Sequence, residues 1–100
     1  MGKRLKRSYL VTYSNGPREI EVVGQFARTL NALISTGDKG ITSGEISQMG
    51  WGYRMSHYIL VLRNKYHLDI EMRREEHGGG WHGRYFLHTL VRQLSDEEAA

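Results

Sequence analysis

Histidines are the first residues of this chain to consider as metal ligands. The chain has five of them, and His77 and His82 enclose the segment Gly78-Gly79-Gly80-Trp81. Two imidazoles at this spacing can approach one metal ion, but three consecutive glycines leave them unorganised. The chain has no cysteine, and no well-placed carboxylate completes a tetrahedral set. The pattern therefore predicts no metal site.

The histidines also lack the neighbours that catalysis requires. They fall on a predicted helix, at its end, in a glycine-rich segment and beside a strand, at positions 57, 67, 77, 82 and 88. Nothing in the sequence predicts a serine or carboxylate beside any of them as nucleophile or base. The glycine-rich segment lacks the GxxxxGK pattern and the strand-to-helix context of a phosphate-binding loop. We therefore predict that the protein is not an enzyme and needs no cofactor.

Positive charge without neighbouring acid is a clearer chemical signal. Between Gly50 and His67 the charged residues are Arg54, Arg63 and Lys65, and none is an acid. A helix surface of this kind suits phosphates spaced along a nucleic-acid duplex. The alternative is that these three residues only solubilise an exposed helix.

The two ends of the chain carry opposite charge. Residues 96–100 contain three acids, and residues 1–7 contain no acid but four cations, Lys3, Arg4, Lys6 and Arg7. We predict a flexible basic arm over residues 1–7 and a flexible acidic tail over 96–100. The arm suits the minor groove of DNA, or it is a solvated terminus.

Length and composition predict one domain over residues 8–95. The chain has 100 residues, of which 39% are hydrophobic and 25% charged, with a formal net charge of +3. Its longest apolar run, Tyr58 to Leu62, is far short of the ~20 residues that cross a bilayer. No apolar stretch follows the basic N-terminus as a signal peptide requires. We expect a cytoplasmic protein without disulfides.

An N-terminal β-hairpin is predicted by alternating residues on both sides of Asn15-Gly16. An Asn-Gly loop accepts the two positive φ angles of a type I′ turn. A turn at these two residues predicts the pairs Ser14 with Pro17, Val11 with Ile20 and Tyr9 with Val22.

Two helices are predicted next in the chain. Apolar residues at helical spacing indicate a first helix over 25–35, which Gly37 can end. Thr42 and Glu45 have the spacing of a capping box, preceded by a short strand at Ile41-Thr42. Ile41 can also pack on Ile46 as a hydrophobic staple, so a second helix is predicted over 43–49.

A third helix is predicted over residues 54–65, with an apolar stripe of Met55, Ile59, Leu62 and Tyr66. Residues 58–62 are apolar all round, which a nucleic-acid-binding helix normally is not. This stretch can add to the hydrophobic core as extra core, mediate self-association or contact another protein. A continuous apolar stretch favours extra core.

The C-terminal third predicts a second hairpin. Residues 70–73 alternate, residues 76–83 supply four glycines, and residues 85–87 return as a strand. This pattern predicts a hairpin with a long flexible tip. Leu90, Val91 and Leu94 have the spacing of one last helical turn.

The order of these elements resembles the winged helix-turn-helix family of bacterial and phage DNA-binding proteins. The resemblance covers about residues 24–88. It is carried by residues 40–46 (GITSGEI), 54–59 (RMSHYI), 62–63 with 68–71 (LR and LDIE) and 84–87 (RYFL). It implies an α+β fold with three helices, a C-terminal hairpin as wing and an additional N-terminal hairpin. Many members end the third helix with a glycine, where this chain has Tyr66-His67.

The resemblance also implies how DNA would be bound. The third helix would enter the major groove with Arg54, Ser56 and His57 near the base edges, and Arg54 has the geometry for guanine. Arg63 and Lys65 would meet phosphates, and so would the start of the second helix near Ser43. In the wing, Trp81, His82 and Arg84 would meet sugar and phosphate, unless Trp81 packs back on the sheet.

The sequence thus favours a small protein that binds duplex DNA, as a transcriptional regulator or phage-type accessory factor. The alternative is a winged-helix interaction module that binds a protein or a second copy through its apolar third helix.

Overall fold

The computed structural model describes residues 6–47 and 54–94, in which three α-helices combine with two antiparallel three-stranded sheets. The predicted α+β class with three helices is therefore confirmed. The elements are β1 (Lys6–Tyr13), β2 (Gly16–Val23), α1 (Gly24–Thr36), a 3-10 turn (Gly37–Lys39), β3 (Ile41–Thr42), α2 (Ser43–Ser47), α3 (Met55–Tyr66), β4 (Ile70–His77), β5 (Gly80–Leu87) and β6 (Leu90–Gln93).

The first sheet has the order β2-β1-β6, and the β1–β2 pair is the predicted N-terminal hairpin. Its predicted register is wrong. The turn is Ser14-Asn15 instead of Asn15-Gly16, and the observed pairs are Tyr13 with Gly16, Val11 with Arg18 and Tyr9 with Ile20. Within this hairpin, Ser14 and Asn15 do not have a positive φ, whereas Gly16, which follows the turn, has a φ of +118°. The pairing is shifted by two positions, so the same side chains still face inward.

Strand β1 begins at Lys6, earlier than the alternating residues from Tyr9 onward that predicted the strand. Lys6 and Arg7 are paired with Val23 and Val22 of β2. These two cations of the predicted arm are therefore part of the sheet, whereas Lys3 and Arg4 lie outside the described residues.

The last described segment is a strand and not the predicted helical turn. β6 pairs antiparallel with β1, so that Val91 lies opposite Val11. Val91 is buried and Leu90 is exposed, which is the alternation of a strand. Spacing over a few residues cannot separate the two periods, and the unpaired edge of β1 supplies the hydrogen-bonding partners that favour the strand.

Helix α1 packs against both sheets and α3. It buries Ala27, Leu30 and Leu33, and it ends at Gly37, whose φ is +50°. Tyr9 of β1 is fully buried against it, and the Tyr9 hydroxyl donates to Asn31 Oδ1 at 2.6 Å. Burial raises the pKa of Tyr9 to about 12.

The predicted capping box at the start of α2 is confirmed. The backbone N–H of Glu45 donates to Thr42 Oγ1 at 3.1 Å, and the N–H of Thr42 donates to Glu45 Oε1 at 2.9 Å. The predicted partner of the staple, the Ile46 side chain, lies outside the described residues, as does the predicted end of α2.

Helix α3 directs Met55, Ile59 and Leu62 into the core, as predicted. The preferred interpretation of its central apolar stretch as extra core is wrong for Leu60, whose side chain is 52% exposed. On a helix, Leu60 lies on the side away from the buried stripe, where the described residues leave about half of it exposed.

The second sheet has the order β3-β5-β4, and β4 and β5 form the second hairpin. The predicted long tip is wrong, because the ladder continues to the pair His77–Gly80 and leaves a turn of Gly78-Gly79. Gly80 takes a φ of +145°, which glycine tolerates. The hairpin is thus regularly paired along its whole length.

Candidate nucleic-acid interface

The exposed face of α3 carries the residues predicted to read bases. Arg54 is the N-cap, and its carbonyl accepts hydrogen bonds from the backbone N–H groups of His57 and Tyr58. The side chains of Arg54, Ser56 and His57 are exposed, and so are those of Asn64 and Lys65 further along the helix. This face therefore combines hydrogen-bonding groups with positive charge.

An aromatic cluster fixes the start of α3 on α1. The ring of Phe26 meets Tyr58 edge-on at a centroid distance of 5.4 Å, and it lies 6.2 Å from the His57 ring. His57 is thus held on one side by packing while its other side is exposed. Packing of this kind sets where the N-terminal turn of α3 points.

Arg63 is turned back into the protein. Its Nε and Nη2 donate to the carbonyl of Ile70 at 2.9 and 2.6 Å, which joins α3 to the first residue of β4. The spacing of charges along α3 does not reveal such a contact, because it depends on where β4 starts in space. Lys65 points outward, with its Nζ 5.4 Å from the centroid of the Tyr66 ring.

His67 ends α3 in the left-handed conformation that glycine usually supplies. Its φ and ψ are 55° and 39°, and its backbone N–H donates to the carbonyl of Leu62. The hydroxyl of Tyr13 donates to the carbonyl of Tyr66 at 2.5 Å, so the first hairpin holds this end of α3. A histidine here therefore leaves the helix end and the following turn intact.

A groove of about 440 Å³ opens beside this helix end. Arg18 and Lys65 face it from the first hairpin and from α3, and none of the described residues that line it is an acid. Its lining residues are Tyr13, Ser14, Asn15, Arg18, Ile20, Lys65, Tyr66 and His67. The groove extends positive charge from α3 towards the first hairpin.

One face of the second hairpin presents a tryptophan and an arginine together. Trp81 is 49% exposed, and the guanidinium carbon of Arg74 lies 4.6 Å from its ring centroid. Arg74 also pairs with Glu76 at 3.3 Å. Trp81 is therefore neither buried on the sheet nor fully solvated. The alternation of residues 70–76 could have indicated Arg74 as a neighbour of Trp81, and sequence reasoning missed it.

The opposite face of the hairpin carries an ion-pair network. Arg84 Nε lies 2.8 Å from Glu75 Oε2, and Arg84 Nη1 lies 3.1 Å from Glu45 Oε1. His82 Nε2 lies 2.7 Å from Glu75 Oε1. Arg84, followed by His82, lowers the pKa of Glu75. Hydrogen bonding to Glu75 raises the pKa of Arg84. This network links the hairpin to the capping box of α2, and His82 does not share a face with Trp81.

The remaining predicted contacts are spread over other elements. Ser43 is the first residue of α2 and is exposed, Lys6 pairs with Glu21 at 3.6 Å, and Arg7 is half-buried. Within the described residues there is no group of three or more side chains placed to hold a metal ion. No helix in that part of the chain is long and apolar enough to span a membrane.

Comparison with known proteins agrees with this architecture. A family model described as a winged helix domain matches residues 19–97, which include all three helices and the whole second sheet. No curated protein and no solved structure matches the chain significantly. The match begins inside β2, so β1 lies outside it. The chain belongs to the winged helix domain family.

Proposed function

We propose that this chain binds duplex DNA through the exposed face of α3, with the second hairpin as the wing. The observation that carries the proposal is the composition of this face. Its exposed residues include Arg54, Ser56, His57, Asn64 and Lys65, and no residue from Arg54 to Tyr66 is an acid. Base edges and phosphates bind such donors and cations. Membership of the winged helix family supports the same function.

The residues of α3 divide by position into two roles. Arg54, Ser56 and His57 at the N-terminal turn contact base edges, and Arg54 can donate two hydrogen bonds to one guanine. Lys65 at the other end meets a phosphate and therefore binds every sequence alike.

Further contacts come from outside α3. The half-exposed Trp81 and its neighbour Arg74 offer a flat surface and a charge to sugar and phosphate. His82 on the other face of the wing is a weaker candidate. Five more polar or basic residues are proposed to meet phosphates, namely Lys3, Arg4, Lys6, Arg7 and Ser43.

Two predicted contact residues contribute mainly through the architecture. Arg63 already donates two hydrogen bonds to Ile70, and Arg84 already pairs with Glu45 and Glu75. Contact with DNA would have to compete with these partners. We therefore infer that Arg63 and Arg84 hold α3, α2 and the wing in position and supply little binding energy directly.

The primary test is a selection from random duplexes followed by binding measurements at several salt concentrations. Phosphate contacts make the logarithm of the binding constant fall with the logarithm of salt, with a slope of about −0.9 per phosphate neutralised. A preferred sequence supports a transcriptional regulator, and shape selection supports an accessory factor. Absence of salt-dependent binding to any duplex contradicts the proposal.

Two substitutions separate base reading from phosphate contact. Arg54→Ala should weaken binding to the preferred duplex by ~1 to 3 kcal/mol and relax preference at one position. Lys65→Ala should weaken all duplexes alike and reduce the salt slope by about 0.9. Arg92→Ala is the matched control, because Arg92 lies on the side of the first sheet opposite the buried Val11 and Val91.

Protein interaction through α3 is the second candidate function, and the exposure of Leu60 favours it. Under this alternative, the mass of the chain in solution rises with concentration, or a Leu60→Glu and Val61→Glu pair abolishes capture of a protein partner. DNA binding that is salt-dependent in a chain of monomeric mass contradicts it.

A further inference from the structure

Leu60 is an apolar residue in the middle of a polar and basic surface. Its side chain is 52% exposed, while Ser56 and Asn64, four residues before and after it, are exposed as well. Residues four apart are neighbours on one face of a helix, so Leu60 separates two hydrogen-bonding side chains. The buried residues of α3 are Met55, Ile59 and Leu62, and Leu60 is not among them.

We propose that Leu60 contacts the 5-methyl group of a thymine in the major groove and so specifies one A·T pair near the centre of the bound site. The inference rests on the proposed DNA binding by α3. The thymine methyl is the one apolar group that the edges of the base pairs present in the major groove. An apolar side chain between polar readers therefore has a matching partner only where a thymine stands.

Charge favours DNA over a protein as the occupant of this face. Arg54 and Lys65 flank the α3 face at its two ends, and no acid lies between them. A stable protein interface buries about 800 Å² on each partner, with an apolar centre. Among the described residues of this face, the half-buried Val61 is the one apolar neighbour that accompanies Leu60. A single exposed leucine is too small to form the apolar centre of a protein interface, but it is large enough to contact one methyl group.

The test removes one methyl group at a time from the DNA. In the duplex preferred by the full chain, each thymidine is replaced in turn by deoxyuridine, which lacks only the 5-methyl group. At one position, we expect the replacement of thymidine by deoxyuridine to weaken the affinity of the parent protein for the duplex roughly threefold to fivefold, the effect of one buried methyl group. The Leu60→Ala variant should bind the duplexes with thymidine and with deoxyuridine at this position equally well. Its affinity for both should be lower than that of the parent protein for the thymidine duplex.

Leu90→Ala is the matched control. Leu90 is 71% exposed, but it lies on β6 and not on the face of α3 that carries Leu60, so this variant should keep the full effect of deoxyuridine. A preferred duplex whose affinity is unchanged by every deoxyuridine overturns the inference and leaves DNA binding intact. A deoxyuridine effect that persists in Leu60→Ala also overturns it, because another residue then contacts the methyl. If no duplex is bound, the proposed function fails together with this contact.

Discussion

Gly40 is a residue at which both the backbone conformation and the surrounding space exclude a side chain. Its φ is +66°, and a Cβ built on it would lie 2.7 Å from Phe86 Cε1 and 2.8 Å from the carbonyl oxygen of Tyr85. The close approach lets β3 begin one residue later and pair with β5, with Ile41 opposite Tyr85. A glycine is therefore required both for the dihedral angle and for the space.

Gly40→Ala should lower the free energy of unfolding by roughly 2 to 5 kcal/mol, because strain at positive φ adds to a clash with backbone. Gly37→Ala is the matched control, since its φ is +50° but nothing lies within 4 Å of the added Cβ. It should cost about 1 to 2 kcal/mol. Urea titration of the three proteins checks the order, and equal losses would contradict the close approach at Gly40.

The same side-chain type serves different roles at different places. Arg54 and Lys65 are exposed on the α3 face, whereas Arg63 is bonded to a carbonyl and Arg84 to two carboxylates. All four are cations in one predicted interface. Their positions relative to neighbouring elements, and not their charge, separate the cations that we propose to contact DNA from those that hold elements of the fold together.

The capping box is the element that connects α2 to the wing. Glu45 accepts the backbone N–H of Thr42 and also pairs with Arg84 of β5 at 3.1 Å. The start of α2 and the middle of the wing are therefore held by one carboxylate. Loosening this contact would change the angle between two parts of the proposed interface.

Thr42→Ala should lower the free energy of unfolding by ~1 kcal/mol, because the backbone N–H of Glu45 loses the acceptor of a part-buried hydrogen bond. Thr42→Ser keeps the hydroxyl and caps about as well, so it should remain close to the parent. Thermal or denaturant unfolding measures both variants. If Thr42→Ala is as stable as Thr42→Ser, the hydrogen bond contributes nothing.

The carboxylate of Glu45 should make stability depend on pH. The hydrogen bond from the Thr42 backbone, with a smaller contribution from Arg84, lowers the pKa of Glu45 below its ordinary value of 4.5. A group whose pKa is lowered on folding stabilises the protein above its unfolded pKa, and this stability is lost as pH falls through the folded pKa. The difference in unfolding free energy between parent and Glu45→Gln should therefore shrink below about pH 4.5. A difference that stays constant from pH 7 to pH 3 would contradict this.

At the scale of the whole molecule, the first and last strands of the described chain pair with each other in the first sheet. β6 pairs with β1 across almost the full length of the sequence, and it buries Val91 against Val11. The buried Leu94 follows directly, and its backbone N–H donates to the carbonyl of Ser8. The winged helix elements lie between these two partners in the sequence, so the first sheet joins the chain ends beside them.

A chain that stops at Thr89 should lose roughly 3 to 6 kcal/mol, because it no longer buries Val91 and Leu94. This is a large part of the ~5 to 15 kcal/mol that stabilises a small domain. A chain that stops at Leu94 keeps the β6 ladder and is the control. Circular dichroism melting should show an early transition for the shorter chain only, and equal melting would mean that β6 is dispensable.

Patterns within a short stretch of sequence predicted the local structure well. The spacing of Thr42 and Glu45 predicted the start of α2, and Met55, Ile59 and Leu62 predicted the buried stripe of α3. Caps and helical periods are set by residues three or four apart, so they need no knowledge of the rest of the chain. The order of these elements is also what predicted the winged helix family.

Contacts between elements decided the rest. The strand at Leu90 depends on β1, at the other end of the described chain, whereas the register of the first hairpin and the inward turn of Arg63 depend on how neighbouring elements meet in space. Leu60 and Leu62 are two residues apart and equally apolar, yet one is exposed and the other buried. The helical period assigns a residue to a face of α3, but the neighbouring elements determine which faces are covered.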